Sequence, residues 1–266
     1  MDLELHGRRA LVTGGSKGIG KAIALALAGE GVDVALLARN AADLDTAATA
    51  IAARTGRKAV AVAGDTGDDG SVRAAVASAV AALGGIDILV NAAAQPGGQA
   101  KPPALGEITD DHFWADMNVK VMGYLRTARE VVPAMKSRGF GRIINISGLA
   151  ARQTGTIIGS MRNVSVAALT KNMADELAGT GITVTCIHPG LTATEKTPGV
   201  IARRSAAEGL SEDEVRRRMA AGNLSGRLIT AEDVAAVAVF LASPRSIAIN
   251  GDVIAAGGGA RGSIHY

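Results

Sequence analysis

The chain has 266 residues, 48% hydrophobic and only 2% aromatic, with a net charge of +3 and no long run of either sign. That length suits one large α/β domain, the mild basic bias offers no stripe for nucleic acid, and no apolar run is long enough to span a bilayer. Cys186 is the sole cysteine, which excludes a disulfide framework and a thiolate metal cluster. The first six residues lack the basic-then-apolar pattern of a secretory signal, so a soluble cytoplasmic protein is expected.

Short apolar runs alternate with amphipathic stretches. In chain order the pattern predicts a strand at 9–13, a helix at 19–30, a strand at 33–38, a helix at 43–54, a strand at 58–64 and a helix at 70–83. Next come a strand at 86–91, a long helix at 112–136, a strand at 141–147 and a helix at 160–178. A strand at 182–188, a helix at 231–241 and a strand at 253–256 complete the set. This alternation implies an α/β, single-domain Rossmann fold over 1–266: a doubly wound parallel sheet with helices on both faces. Three segments break the rhythm: 94–109 is rich in Gly and Pro, 149–159 in Gly and Thr, and 192–227 is a long insertion expected to serve as a substrate lid. The insertion contains Ser211-Glu212-Asp213-Glu214, a capping-box pattern that starts a helix. All three come after strands and belong at the carboxyl edge of the sheet, where open α/β folds bind ligands.

The first strand runs into Thr13-Gly14-Gly15-Ser16-Lys17-Gly18-Ile19-Gly20 and then a helix. Glycines at 14, 18 and 20 let the backbone approach a pyrophosphate, and the helix N-terminus supplies free N–H groups and partial positive charge. The second strand ends at Ala38, where an NAD-selective fold carries a carboxylate for the ribose 2′-OH, and Arg39 is the next residue. With no carboxylate there, and with Arg39 and Lys17 able to pair a 2′-phosphate, NADP(H) is favoured over NAD(H).

The spacing Thr-Gly-x-x-x-Gly-x-Gly resembles that of the short-chain dehydrogenase/reductase family, and further landmarks extend the resemblance over the whole chain. Asn91-Ala92-Ala93-Ala94 resembles its Asn-Asn-Ala-Gly turn with two of four residues changed. Asp65, with Thr66 beside it, stands where the family contacts adenine. Pro189-Gly190-Leu191-Thr192-Ala193-Thr194 resembles the segment whose Thr touches the nicotinamide carboxamide, and 250–258 resembles the closing strand. The resemblance implies a homotetramer or dimer formed through the helices at 112–136 and 160–178, a small-molecule substrate, and a catalytic set of Asn, Ser, Tyr and Lys.

That set is where the chain departs from the pattern. Val166-Ala167-Ala168-Leu169-Thr170-Lys171 resembles the family's stretch just downstream of Tyr-x-x-x-Lys, and counting back puts Gly159 at the Tyr and Asn163 at the Lys. The tyrosines are Tyr124 and Tyr266, so no slip of register restores the motif. Asn145-Ile146-Ser147-Gly148 resembles Asn-Ile-Ser-Ser with Gly148 in place of the second Ser, leaving Ser147 as a hydroxyl donor. The loop from there to Gly159 is shorter than usual. Ungapped counting puts Lys120 at the Asn position, with Asn118 as the competing choice. Lys and Asn are thereby exchanged across the site, which resembles a divergent branch with Lys on this helix and Gly-Ser-x-x-Asn, here Gly159 to Asn163, on the next.

Shielded beside a cationic nicotinamide, Lys120 would have a lowered pKa and act as an acid, a base or a Schiff-base nucleophile. Ser147 or Ser160 could donate to an oxyanion. Tyr124, four residues after Lys120, is a core residue or a catalytic one, and His188 is a packed residue or a base. Arg203, Arg204 and 216–218 form a solvated face or attract an anion. The remaining histidines, His6, His112 and His265, are scattered and no metal site is expected. Three functions stay open: an NADP(H)-dependent oxidoreductase using Lys120 and Ser147, a non-redox lyase, dehydratase or isomerase, and a silent nucleotide-binding protein.

Overall fold

The computed structural model describes residues 1–95 and 102–260. Its strands are β1 (Arg9–Thr13), β2 (Asp33–Ala38), β3 (Ala59–Ala63), β4 (Ile88–Asn91), β5 (Gly141–Ile146), β6 (Ile182–Pro189), β7 (Thr192–Ala193), β8 (Ile229–Thr230) and β9 (Val253–Ala256). Seven of them form a parallel sheet in the spatial order β3-β2-β1-β4-β5-β6-β9, and β7 pairs with β8 in a separate two-residue ladder. The chain reverses direction between β1 and β4, and that switch point opens the crevice that holds ligands in such sheets.

The central strands are apolar on both faces because both faces are covered. Ala10 and Val12 of β1, Val34 and Leu36 of β2 and Ile88 and Val90 of β4 share one cluster. Their neighbours Leu11, Ala35, Leu37 and Leu89 belong to the cluster on the other face, as the two-residue period of a strand requires. The first face carries α1 (Gly18–Gly29), α2 (Ala41–Thr55) and α9 (Ala231–Ala242). The second carries α3 (Asp69–Leu83), α5 (Gly123–Arg138) and α6 (Ile157–Glu176).

Three features differ from the sequence-based expectation. The helix expected at 112–136 is α4 (Asp110–Met117), one π-helical turn (Asn118–Met122) and α5 in unbroken succession. The insertion 192–227 holds two helices, α7 (Thr197–Glu208) and α8 (Glu212–Ala220), around Ile201, Val215 and Met219. Only half of the expected capping box forms: Ser211 Oγ accepts from the N–H of Glu214 at 3.2 Å, but the Glu214 carboxylate takes Arg217 and Arg218 instead of reaching back. In the loop expected at 94–109, residues 96–101 lie outside the described residues, as do His265 and Tyr266.

Candidate active site and nucleotide cleft

A cleft of about 990 Å³ opens along the carboxyl ends of β1, β4, β5 and β6. One end is built by the Gly-rich turn. Gly14 has φ +67°, and a Cβ there would stand 2.9 Å from the carbonyl carbon of Ala92. A Cβ on Gly20 would come within 2.3 Å of Gly14 O, so a side chain at either position would split the turn. Thr13 Oγ1 accepts from the N–H groups of Ala92 and Ala93 at 3.0 and 3.1 Å and ties β1 to β4 at the switch point.

Ser16, Lys17, Gly18, Ile19 and Gly20 line this end. The first turn of α1 has no acidic residue of its own, so its amides remain an anion site. The Glu195 carboxylate reaches over from the insertion and accepts from Gly18 N–H at 3.2 Å. Arg39 is exposed at the end of β2, and Lys17 Nζ pairs with Asp43 at 2.6 Å. Asp65 and Thr66 line the cleft after β3, and Ala92 and Ala93 after β4. Pro189, Gly190, Leu191, Thr192 and Thr194 line it after β6. The cradle fits the pyrophosphate of a dinucleotide, and Arg39 fits an added phosphate.

Asn91 is not part of that lining. It is fully buried, with its Nδ2 donating to Asn145 Oδ1 at 3.0 Å and its Oδ1 accepting from Thr127 Oγ1 at 2.7 Å. Its amide joins β4 to β5 and α5.

The other end is built around the π turn. A π turn widens the helix by one residue and loosens its carbonyls. Here Gly123 N–H reaches back to Asn118 O, while Val119 O accepts from Thr66 Oγ1 at 3.1 Å. Arg126 Nη1 donates to the carbonyls of Asn118 and Thr66, and its Nη2 to Asn118 Oδ1 at 2.8 Å. Asn118 Nδ2 donates to Gly67 O at 2.9 Å, so this residue clamps the turn from outside the cleft.

The side chain turned into the cleft is Lys120, only 3% exposed. Its Nζ donates to Ser147 O at 3.1 Å and to Asn163 Oδ1 at 3.0 Å. Burial, and after it the nearby Arg162 cation, bring its pKa down to about 7. Arg162 also lines the cleft and pairs with Asp116 at 2.6 Å.

Gly148 and Asn163 are fitted to each other, since a Cβ on Gly148 would lie 3.0 Å from Asn163 Nδ2. Ser147 lines the cleft, but its hydroxyl donates to the carbonyl of Asn163 at 2.9 Å and holds α6 against β5. Ser160 lies outside the cleft lining, and its Oγ donates to Gln153 O at 3.4 Å. Tyr124 is a core residue. Its ring packs with Val166 and Cys186, its OH donates to Ile146 O at 2.8 Å, and burial raises its pKa so that it keeps its proton. His188 is buried at the end of β6 and does not line the cleft. Arg203, Arg204, Arg216, Arg217 and Arg218 are exposed on the insertion.

Arg162, Asp116 and Glu195 carry no signal in the sequence. Their partners lie 46 and 177 residues away, so no local spacing marks them. Among the described residues no cluster of His, Cys, Asp and Glu could hold a metal ion, and no helix is long and apolar enough to cross a membrane.

The sheet order, the Gly-rich turn and the cleft together define a dinucleotide-binding α/β oxidoreductase fold. The chain belongs to the short-chain dehydrogenase/reductase family: residues 14–261 match the family model described as enoyl-(acyl carrier protein) reductase. It is 36% identical to the short-chain reductase protein NovJ of Streptomyces niveus over 94% of this chain and 92% of that protein. It is 32% identical to the NADPH-dependent reductase BacG of Bacillus subtilis over 97% of this chain and 99% of that protein. Its backbone superposes on L-sorbose reductase from Gluconobacter frateurii, solved with NADPH and L-sorbose, with a TM-score of 0.92 and 30% identity. That match covers 99% of this chain and 100% of the other.

Proposed function

We propose that the protein is an NADP(H)-dependent oxidoreductase that interconverts a carbonyl and an alcohol, with Lys120 moving the proton in place of the family's Tyr. The observation that carries this reading is the Lys120 amine, buried in the cleft between two fixed acceptors, Ser147 O and Asn163 Oδ1. A neutral amine gives its two N–H groups to those acceptors and keeps a lone pair for the remaining tetrahedral direction. A protonated amine offers a third N–H there. With a pKa of about 7, both forms are present near neutrality, as a general acid–base group requires.

NADPH, when bound, supplies the hydride to the carbonyl carbon. In reduction Lys120 gives its proton to the carbonyl oxygen, and in oxidation its lone pair takes the proton of the alcohol. Asn163 Oδ1 orients the amine, and Ser147 carries that geometry through its bond to the Asn163 carbonyl. Ser147 is thereby a positioning residue. Arg39 and Lys17 hold the 2′-phosphate, Lys17 by leaving Asp43. The similarity to NADPH-dependent BacG and to the NADPH-bound L-sorbose reductase supports this cofactor. Gly159 and Asn163 then mark a branch without the Tyr-x-x-x-Lys pair, and 192–227 closes over the substrate.

Self-association through α4–α5 and α6 is part of the proposal. Trp114, Met122, Leu125, Met161 and Val164 leave large apolar side chains exposed on these helices.

The test is Lys120→Ala assayed against a panel of carbonyl compounds and a metabolite extract, following reduced-nicotinamide absorbance and product mass together. NADPH binding is expected to persist while turnover falls by about 10²–10⁴-fold. Turnover equal to wild type removes Lys120 from the chemistry, and product formation without net NADPH change supports the lyase or isomerase reading.

A further inference from the structure

Arg162 has no part in moving the proton, yet it lines the cleft beside Lys120. Asp116 on α4 takes Nη1 at 2.6 Å and fixes the guanidinium from behind. Nε is fully covered without an acceptor, and Nη2 has no hydrogen-bond partner among the described residues. The Asp116 pair holds the guanidinium in place, and the nitrogen left to serve a ligand is Nη2, on a side chain that lines the cleft. The guanidinium also opposes the charging of Lys120. The carboxylates that line the cleft do nothing to balance it: Asp43 is paired to Lys17, Asp65 lies just past β3, and Glu195 sits on Gly18. Among the described residues, the reactive end thus holds the Lys120 amine and the Arg162 guanidinium, with Asp116 paired to Arg162.

We infer that Arg162 anchors an anionic group of the substrate, which makes the substrate an oxo acid or hydroxy acid with its carboxylate within a few carbons of the reacting centre. Resting on the proposed redox chemistry, this adds the substrate class. A carboxylate on the open face of Arg162 receives a charge-assisted hydrogen bond from Nη2. It also lies near the protonated Lys120 and favours that form, the one that donates in reduction. A neutral ketone leaves Nη2 without that acceptor.

The experiment measures NADPH oxidation with acid and methyl-ester pairs of short 2-oxo and 3-oxo acids, pyruvate and acetoacetate with their esters among them. Wild type is expected to prefer the acids by about tenfold or more in kcat/KM. Arg162→Gln is expected to raise KM for the acids about 10- to 100-fold, with a smaller change in kcat, and to leave the esters nearly untouched. Arg162→Lys restores part of the preference. Asp116→Asn disturbs the α4–α6 contact while keeping the cation, and is expected to keep the preference for acids. Equal use of acids and esters by wild type, or an acid-to-ester ratio unchanged in Arg162→Gln, overturns the anchor and leaves the Lys120 chemistry standing. Esters reduced while no acid is reduced also overturns it. A panel wholly unreactive in wild type counts against the oxo-acid class, and the Lys120 reading is then judged separately by titrating its amine.

Discussion

The two ends of the cleft are built by different means. At the nucleotide end, geometry comes from backbone: Gly14 and Gly20 leave room that a Cβ would fill, and α1 opens with no acidic residue in its own first turn. At the reactive end, geometry comes from buried side chains: Lys120, Asn163 and Ser147 hold one another, and the π turn that carries Lys120 is clamped by Asn118, Arg126 and Thr66. A backbone site tolerates little change in residue type, because the missing side chains are its working parts. A side-chain site can be rebuilt with other residues when their partners change too, as the fit between Gly148 and Asn163 illustrates. On the proposed reading, this is why the nucleotide end keeps the family pattern while the reactive end departs from it.

If the two ends work independently, single substitutions should separate binding from chemistry. Lys120→Ala is expected to lower kcat by about 10²–10⁴-fold, the usual contribution of a general acid–base group, with the NADPH Kd within a few-fold of wild type by fluorescence titration. Gly20→Ala is expected to do the reverse: its Cβ would meet Gly14 O at 2.3 Å, so NADPH affinity falls by about 100-fold. The pH dependence of Lys120 would be kept. If both variants lose binding and turnover together, the two ends are not independent.

Smaller effects refine the contrast. Arg39→Ala is expected to cost roughly tenfold in NADPH affinity and to leave NADH affinity unchanged, measured by parallel titration. Lys120→Met should stabilise the fold at neutral pH, because the native state holds the amine's pKa at about 7 against its ordinary value of 10.5. The unfolded chain binds the extra proton between those values, so wild-type stability rises with pH across that window and is lowest below it. Thermal melts at pH 6 and pH 10 should therefore differ more for wild type than for Lys120→Met, with a variant Tm a few degrees higher at the lower pH. Least of all, Glu195→Gln should tighten NADPH binding a few-fold by removing a carboxylate from the anion site at Gly18 N–H.

Much of the fold was legible because it is written in local pattern. Short apolar runs alternating with amphipathic stretches specify strands and helices without long-range information, and the glycines of the turn mark the nucleotide end. The π turn was not legible: Asn118 to Met122 read as ordinary helix, and what holds the widened turn comes from Thr66, 53 residues from Val119. Motif spacing points to Asn91 and Ser160 as site residues, yet one is consumed between strands and the other points to Gln153. A motif gives positions along the chain, and the direction of a side chain depends on neighbours that the motif does not contain. Counting without gaps puts Lys120 and Asn163 on opposite walls, and their side chains lie 3.0 Å apart. Arg162 is invisible in the sequence because its partner Asp116 lies 46 residues away and no motif spacing joins it to the cleft.

Everything proposed for the reactive end turns on Lys120 being a proton-transfer group poised near neutrality. An NMR titration of the lysine Nζ signals in the protein reads this without intermediaries, with Lys120→Met used to assign the Lys120 resonance. One amine should titrate with a midpoint about 7, be absent from the variant, and be matched by a fall in carbonyl reduction and a rise in alcohol oxidation as pH increases through that value. An amine that stays charged to its ordinary value of 10.5 would contradict it.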